Sequence, residues 1–98
     1  MARYVLSVKT EEDIEDIYRY GFLEYGEAAA EHYQESLGKK LHYLAQNPLA
    51  CSLRKEFTPA VRINHHRKHL IIYQSEADQV LIIRILGDRM DISKNLSN

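Results

Sequence analysis

Three histidines stand close together as His65-His66-x-x-His69. Histidine is the side chain that most readily moves a proton near neutral pH or ligates a metal. Neighbouring residues of a strand point to opposite faces, so His65 and His66 do not readily share an ion. No Cys, Asp or Glu stands close in sequence to complete a tetrahedral set. The three therefore read as a hydrated hairpin tip, and no metal is expected. The lone Cys51 follows Asn47-Pro48 with no local base to activate it, and reads as a small apolar residue. It cannot form an internal disulfide, which fits a reducing compartment. The glycines lie scattered at 21, 26, 38 and 87. They build neither a P-loop nor a dinucleotide loop, so no cofactor is expected. No Ser/His/Asp pattern is supported by spacing.

What remains is a basic set: Arg54, Lys55, Arg62, Arg67, Lys68, Arg84 and Arg89. Residues 1–50 hold five Lys/Arg against nine Asp/Glu, whereas residues 51–98 hold eight against five. The second half is thus suited to an acidic partner, though a chance division of solvated charge gives the same numbers. Arg62 and Arg84 fall inside strand-like runs, where a charge needs a reason. Arginine there can stabilise a phosphate during RNA cleavage or grip a partner's carboxylate. Equally, it can pair with acids of the chain's own helices.

The elements that must position these residues follow from periodicity. Tyr4–Val8 alternates as a short strand. Thr10-Glu11-Glu12-Asp13 reads as a helix start, with Thr10 as the cap and the acids in the first turn. Ile14, Ile17, Tyr18, Phe22 and Tyr25 follow at helical spacing until Gly26. Ala30, Tyr33, Leu37, Leu41 and Leu44 mark a second helix, stopped by Asn47-Pro48. The spacing predicts helices over 10–25 and 27–46, packed as an antiparallel hairpin. Gly38 inside the second helix suggests a close approach to a neighbour. Residues 49–59 read as a linker. Strands are predicted at 61–65, 68–75 and 79–86, forming an antiparallel meander. The polar tail from Asp88 suits a single helical turn or a loose end.

The fold expected is α+β, in the order β-α-α-β-β-β, with the helical hairpin on one face of a small antiparallel sheet. In the last strand Leu81, Ile83 and Ile85 point one way, and Val80, Ile82 and Leu86 the other with Arg84. Both faces are apolar, yet one helical layer covers one face. A partner, the tail or water must meet the second, and an apolar patch of that kind marks a binding site.

The length suits one domain over 1–98, and the apolar share of 45% and charged share of 28% are ordinary for a globular chain. No apolar run is long enough to span a bilayer, and residues 1–10 show no signal-peptide core. A cytoplasmic location without membrane contact is expected.

Taken together, Gly26-Glu27-x-Ala29-x-x-x-x-Tyr33, Leu44-Ala45-x-Asn47-Pro48, Val61-Arg62, Ile72-Tyr73 and Ile83-Arg84-Ile85-Leu86-x-x-Arg89-Met90-Asp91 resemble the RelE/ParE superfamily of toxins. The closing segment is similar to the ParE branch. That resemblance covers nearly the whole chain. It implies the toxin of a type II toxin–antitoxin system, neutralised by a cognate antitoxin, with operator DNA met only through their complex. For the ParE branch it implies DNA gyrase as the target, inhibited by binding and without catalytic residues. The alternative it implies is a ribosome-dependent mRNA endoribonuclease of RelE type. ParE sequences commonly carry a His after the last strand, where this chain has Gly87-Asp88, which removes the best acid/base candidate. Target contacts are expected at Arg62, Arg67, Arg89, Met90 and Asp91. Antitoxin contacts are expected at Arg62, Arg84, Val80, Ile82 and Leu86.

Overall fold

The computed structural model describes residues 3–96. Its elements are β1 (Tyr4–Leu6), α1 (Val8–Tyr25), α2 (Glu27–Gln46), β2 (Leu53–Arg54), β3 (Val61–His66), β4 (His69–Ser75), β5 (Val80–Gly87) and α3 (Ile92–Leu96). The α+β class and the helical hairpin are as the periodicity predicts. The helix start differs. Ser7, not Thr10, caps α1, with extended backbone and its Oγ accepting the Thr10 amide at 3.0 Å. Thr10 is instead fully buried, and its hydroxyl donates to the Ile82 carbonyl at 2.8 Å.

Gly26 joins the two helices alone. At φ 94 and ψ 170 it occupies a region open to glycine, ending α1 and beginning α2 without further linker. Along α2, Ala30, Leu37, Leu41 and Leu44 are buried as the stripe requires. Gly38 makes no close approach: a Cβ built there would meet nothing within 4 Å. In α1, Ile14 and Ile17 pack on the core, but Phe22 and Tyr25 are exposed. The seam with α2 is made there by Gly21 against Ala30, so the larger side chains lean off it.

The sheet order is β1-β5-β4-β3-β2. Strands β2 to β5 are antiparallel, whereas β1 lies parallel to β5 rather than antiparallel. Parallel neighbours need a long connection, and here it contains both long helices. The two-residue β2 forms inside the expected linker and pairs only with Arg62 and Val61.

One irregularity decides which side chains face which layer. Tyr73 pairs with Ile82 and Ile72 with Arg84, so Ile83 is an extra residue in β5. This β-bulge reverses the alternation beyond it. Val80, Ile82 and Ile85 join Leu37, Leu41, Leu44, Ile71 and Tyr73 in the core under α2. Leu86 joins Val61 and Ile72 in a second core on the opposite face, with Ile83 packed against it. The expected grouping of Ile83 with Ile85, and of Val80 and Ile82 with Leu86, is thereby corrected.

Of the three ways to meet the second apolar face, a partner, the tail or water, the structure shows the tail. Ile92 and Leu96 from α3, with Phe57 from the linker, pack on Val61, Ile72 and Leu86. Val80, Ile82 and Leu86 are each at most 1% exposed, so the chain's own residues already fill the apolar surface assigned to a partner. Among the described residues no helix is long and apolar enough to cross a membrane.

Candidate functional site

The two strand arginines lie on opposite faces of the sheet. Arg62 opposes Tyr73 on the helix-covered face, while Arg84, displaced by the bulge, opposes Ile72 on the other. Arg84 is bound to Asp13 of α1 by Nε at 2.9 Å and by Nη2 at 3.0 Å, and its Nη1 donates to the Asn95 carbonyl at 3.3 Å. The hydrogen bond to Asp13 holds its pKa above the usual arginine value, against the effect of burial. Asp13 also accepts the Ile85 amide at 3.0 Å. It thus caps the edge of β5 where β1 has ended, and the acid that the sequence placed in a solvated first turn is structural.

Arg62 donates to the Cys51 carbonyl at 2.6 Å, tying β3 to the loop after α2. Its Nε is buried and, among the described residues, has no hydrogen-bond partner. Cys51 packs at the margin of the main core. Beside it, Tyr73 donates to the Pro48 carbonyl at 3.1 Å, and burial pushes its phenol pKa up to about 12.

The histidines divide as strand geometry requires. His66 and His69 are partners across the β3–β4 hairpin and face α2. Tyr33 Oη lies 2.6 Å from His69 Nδ1, and Ser36 Oγ lies 3.2 Å from His66 Nε2. Burial is the first cause lowering both histidine pKa values, and burial raises that of Tyr33. The short contact joins two groups whose neutral forms burial favours, and its direction follows from the imidazole tautomer. His65 points away, with Nε2 3.6 Å from Asp88. Among the described residues no group of three or more His, Cys, Asp or Glu is placed to hold a metal.

The hairpin loop is Arg67-Lys68, and Arg67 takes the positive φ of 55 that two-residue hairpins demand. Both cations border a cleft of about 440 Å³ between α1, α2 and the hairpin tip, walled by Ile17, Tyr20, Tyr25 and Tyr33. Lys68 also borders a shallow hollow with Gly87, Asp88, Arg89 and Met90, and its carbonyl accepts the Asp88 amide at 2.9 Å. The fold therefore gathers Arg67, Lys68, Arg89 and Met90 at one end of the sheet. Asp91 follows in sequence and caps α3 through the Lys94 amide, 2.9 Å away. Arg62, at the far end of β3, is separate from this group. Of the tyrosines of the cleft, helical spacing marks Tyr25 and Tyr33 as core and does not single out Tyr20. Their one available signal was density: Tyr18, Tyr20, Tyr25 and Tyr33 fall within sixteen residues, more than a core stripe can bury.

The architecture is a small five-stranded sheet carrying a helical hairpin, with a basic end at the β3–β4 tip. The family described as "ParE toxin of type II toxin-antitoxin system, parDE" matches residues 4–92. The chain belongs to that family. It is similar to Toxin ParE of Escherichia coli, at 28% identity over 100% of this chain and 96% of the relative. It is also similar to Toxin ParE1 of Mycobacterium tuberculosis, at 27% over 97% of this chain and 98% of the relative. Its fold matches a chain from a structure titled "Chromosomal ParDE TA system from P. aeruginosa". The TM-score is 0.76 and the identity 18%, with 89% of this chain and 96% of that one covered.

Proposed function

We propose that this toxin acts by gripping DNA gyrase and is neutralised by a cognate antitoxin, with operator DNA contacted only through the toxin–antitoxin complex. Family membership over residues 4–92 is the observation that carries this reading. The basic end supports it: Arg67, Lys68, Arg89 and Met90 are exposed, and Lys68 borders one hollow with Arg89 and Met90. Antitoxin contact would use exposed surface, or would displace α3 to reach the second apolar face. The test is supercoiling by gyrase with excess antitoxin-free protein. Loss of supercoiling with accumulation of cleaved DNA is expected, and unaffected supercoiling overturns the reading.

The endoribonuclease alternative called on Arg62 and Arg84 together. Their positions on opposite faces, and their ties to Cys51 and Asp13, argue against a shared site. Codon-specific cuts of mRNA on programmed ribosomes would restore that alternative.

A further inference from the structure

We infer that the cleft between α1, α2 and the β3–β4 hairpin tip binds an acidic protein segment carrying an apolar or aromatic anchor. All nine carboxylates of the first fifty residues belong to α1 and α2, which form most of the cleft wall, yet none of them lines it. The helices contribute only apolar residues, tyrosines and His32 there. The hairpin contributes Arg67, Lys68 and His69. The lining thus carries two fixed positive charges and no negative one, so its complement is an anion.

The shape specifies the rest. Gly21, Ala29 and Ala30 are small and leave the floor open for an inserted side chain. Tyr20 and Tyr25 are 62% and 66% exposed, so their rings are available for a partner to bury. Tyrosine and arginine around a small apolar floor is the composition of a protein-binding hot spot. A nucleic-acid strand fits less well. Its phosphates need cations along a track, whereas here the cations sit on one rim and Glu24 and Glu27 flank Tyr25 in sequence. The inference goes beyond the toxin reading and stands without it, because it concerns only the chemistry the cleft accepts.

The test is amide-resolved NMR titration of the full chain with a short synthetic peptide alternating Glu with Leu and Phe. The controls are the same peptide with Lys for Glu, and an oligothymidylate. Shifts confined to residues around Tyr25, Ala29 and Arg67 are expected with the acidic peptide, weakening as salt is raised. Arg67→Gly with Lys68→Gln, which keeps the hairpin backbone, should weaken binding about 10-fold or more. Ala29→Trp, at an exposed helical position, should fill the cleft and abolish binding with the remaining spectrum unchanged. Equal binding of the basic peptide, tighter binding of the oligonucleotide, no response to the acidic peptide, or undiminished binding by either folded variant would each overturn the inference. Gyrase activity is not read in this experiment, so its outcome is separable from that of the toxin proposal.

Discussion

Asp13 binds Arg84 through both carboxylate oxygens, at 2.9 and 3.0 Å, while accepting the amide of Ile85 at 3.0 Å. One side chain thereby joins the first helix, the edge of β5 and a charge on the far face of the sheet. Both partners are largely buried, with side chains 15% and 13% exposed.

Arg84→Ala should accordingly destabilise the protein by about 3 kcal/mol, because it strands a buried carboxylate. Arg84→Glu should be worse, placing two carboxylates together. Urea unfolding monitored by circular dichroism measures both. Any loss of partner binding in these variants reports on folding first, and an Arg84→Ala variant of unchanged stability would show that the pair is dispensable.

Gly38→Ala should stabilise the protein by about 0.5–1 kcal/mol, since the new methyl meets open space inside α2. Gly26→Ala should do the opposite, because φ 94 is strained for any residue with a Cβ. Thermal unfolding of the two variants side by side should shift the midpoint in opposite directions.

Stability should fall on mild acidification. The folded-state pKa values of His66 and His69 lie below their ordinary 6.5. A lowered folded value means that the unfolded chain takes up protons first. Their contribution is therefore full above about 6.5 and is lost as pH falls from there through the folded values. The groups facing them are Tyr33, Ser36 and Lys40 of α2, Arg67 of the hairpin loop and Asp88 after β5. Denaturant midpoints between neutral and mildly acid pH should decline less in His69→Gln than in the parent. An equal decline would place the titration elsewhere.

Ile92→Ser with Leu96→Ser should loosen α3 and bare Val61, Ile72 and Leu86. Increased fluorescence of an apolar dye in the folded variant is the expected sign, with a stability loss of about 2 kcal/mol or more from the two lost side chains. Dye binding equal to that of the parent would mean that the tail leaves this face covered by other residues.

Helical spacing located α2 to the residue, and hairpin spacing located β3, β4 and β5 to within one or two. What could not be read was whatever depends on partners distant in sequence. Ser7 outcompetes Thr10 as the cap because Thr10 is drawn to a carbonyl seventy-two residues away. The two-residue β2 has too few residues to show alternation. The bulge at Ile83 is invisible because four consecutive apolar residues, Val80–Ile83, are compatible with either parity. That one ambiguity misassigned the faces of Ile85 and Leu86. It also misplaced Arg84, which strand alternation put beside the wrong apolar set.

The bulge also makes the residue count of β5 as informative as its composition. Deleting Ile83 would remove the residue that has no partner on β4 and leave an unbroken ladder, with Ile82 opposite Tyr73 and Arg84 opposite Ile72 as before. Every side chain after it would keep its face, because directly opposed residues of an antiparallel pair share one. Ile85 would stay in the helical core and Leu86 in the second, with Arg84 still beside Asp13, and only the packing of Ile83 itself on the second core would be lost. A residue inserted between Arg84 and Ile85 should be far more damaging, because it would exchange the faces of Ile85 and Leu86, whereas length changes in the exposed Glu76–Asp78 turn leave the register of both cores intact. Gaps and insertions in related sequences are therefore expected to collect in that turn or at the bulge, and to spare Arg84, Ile85 and Leu86.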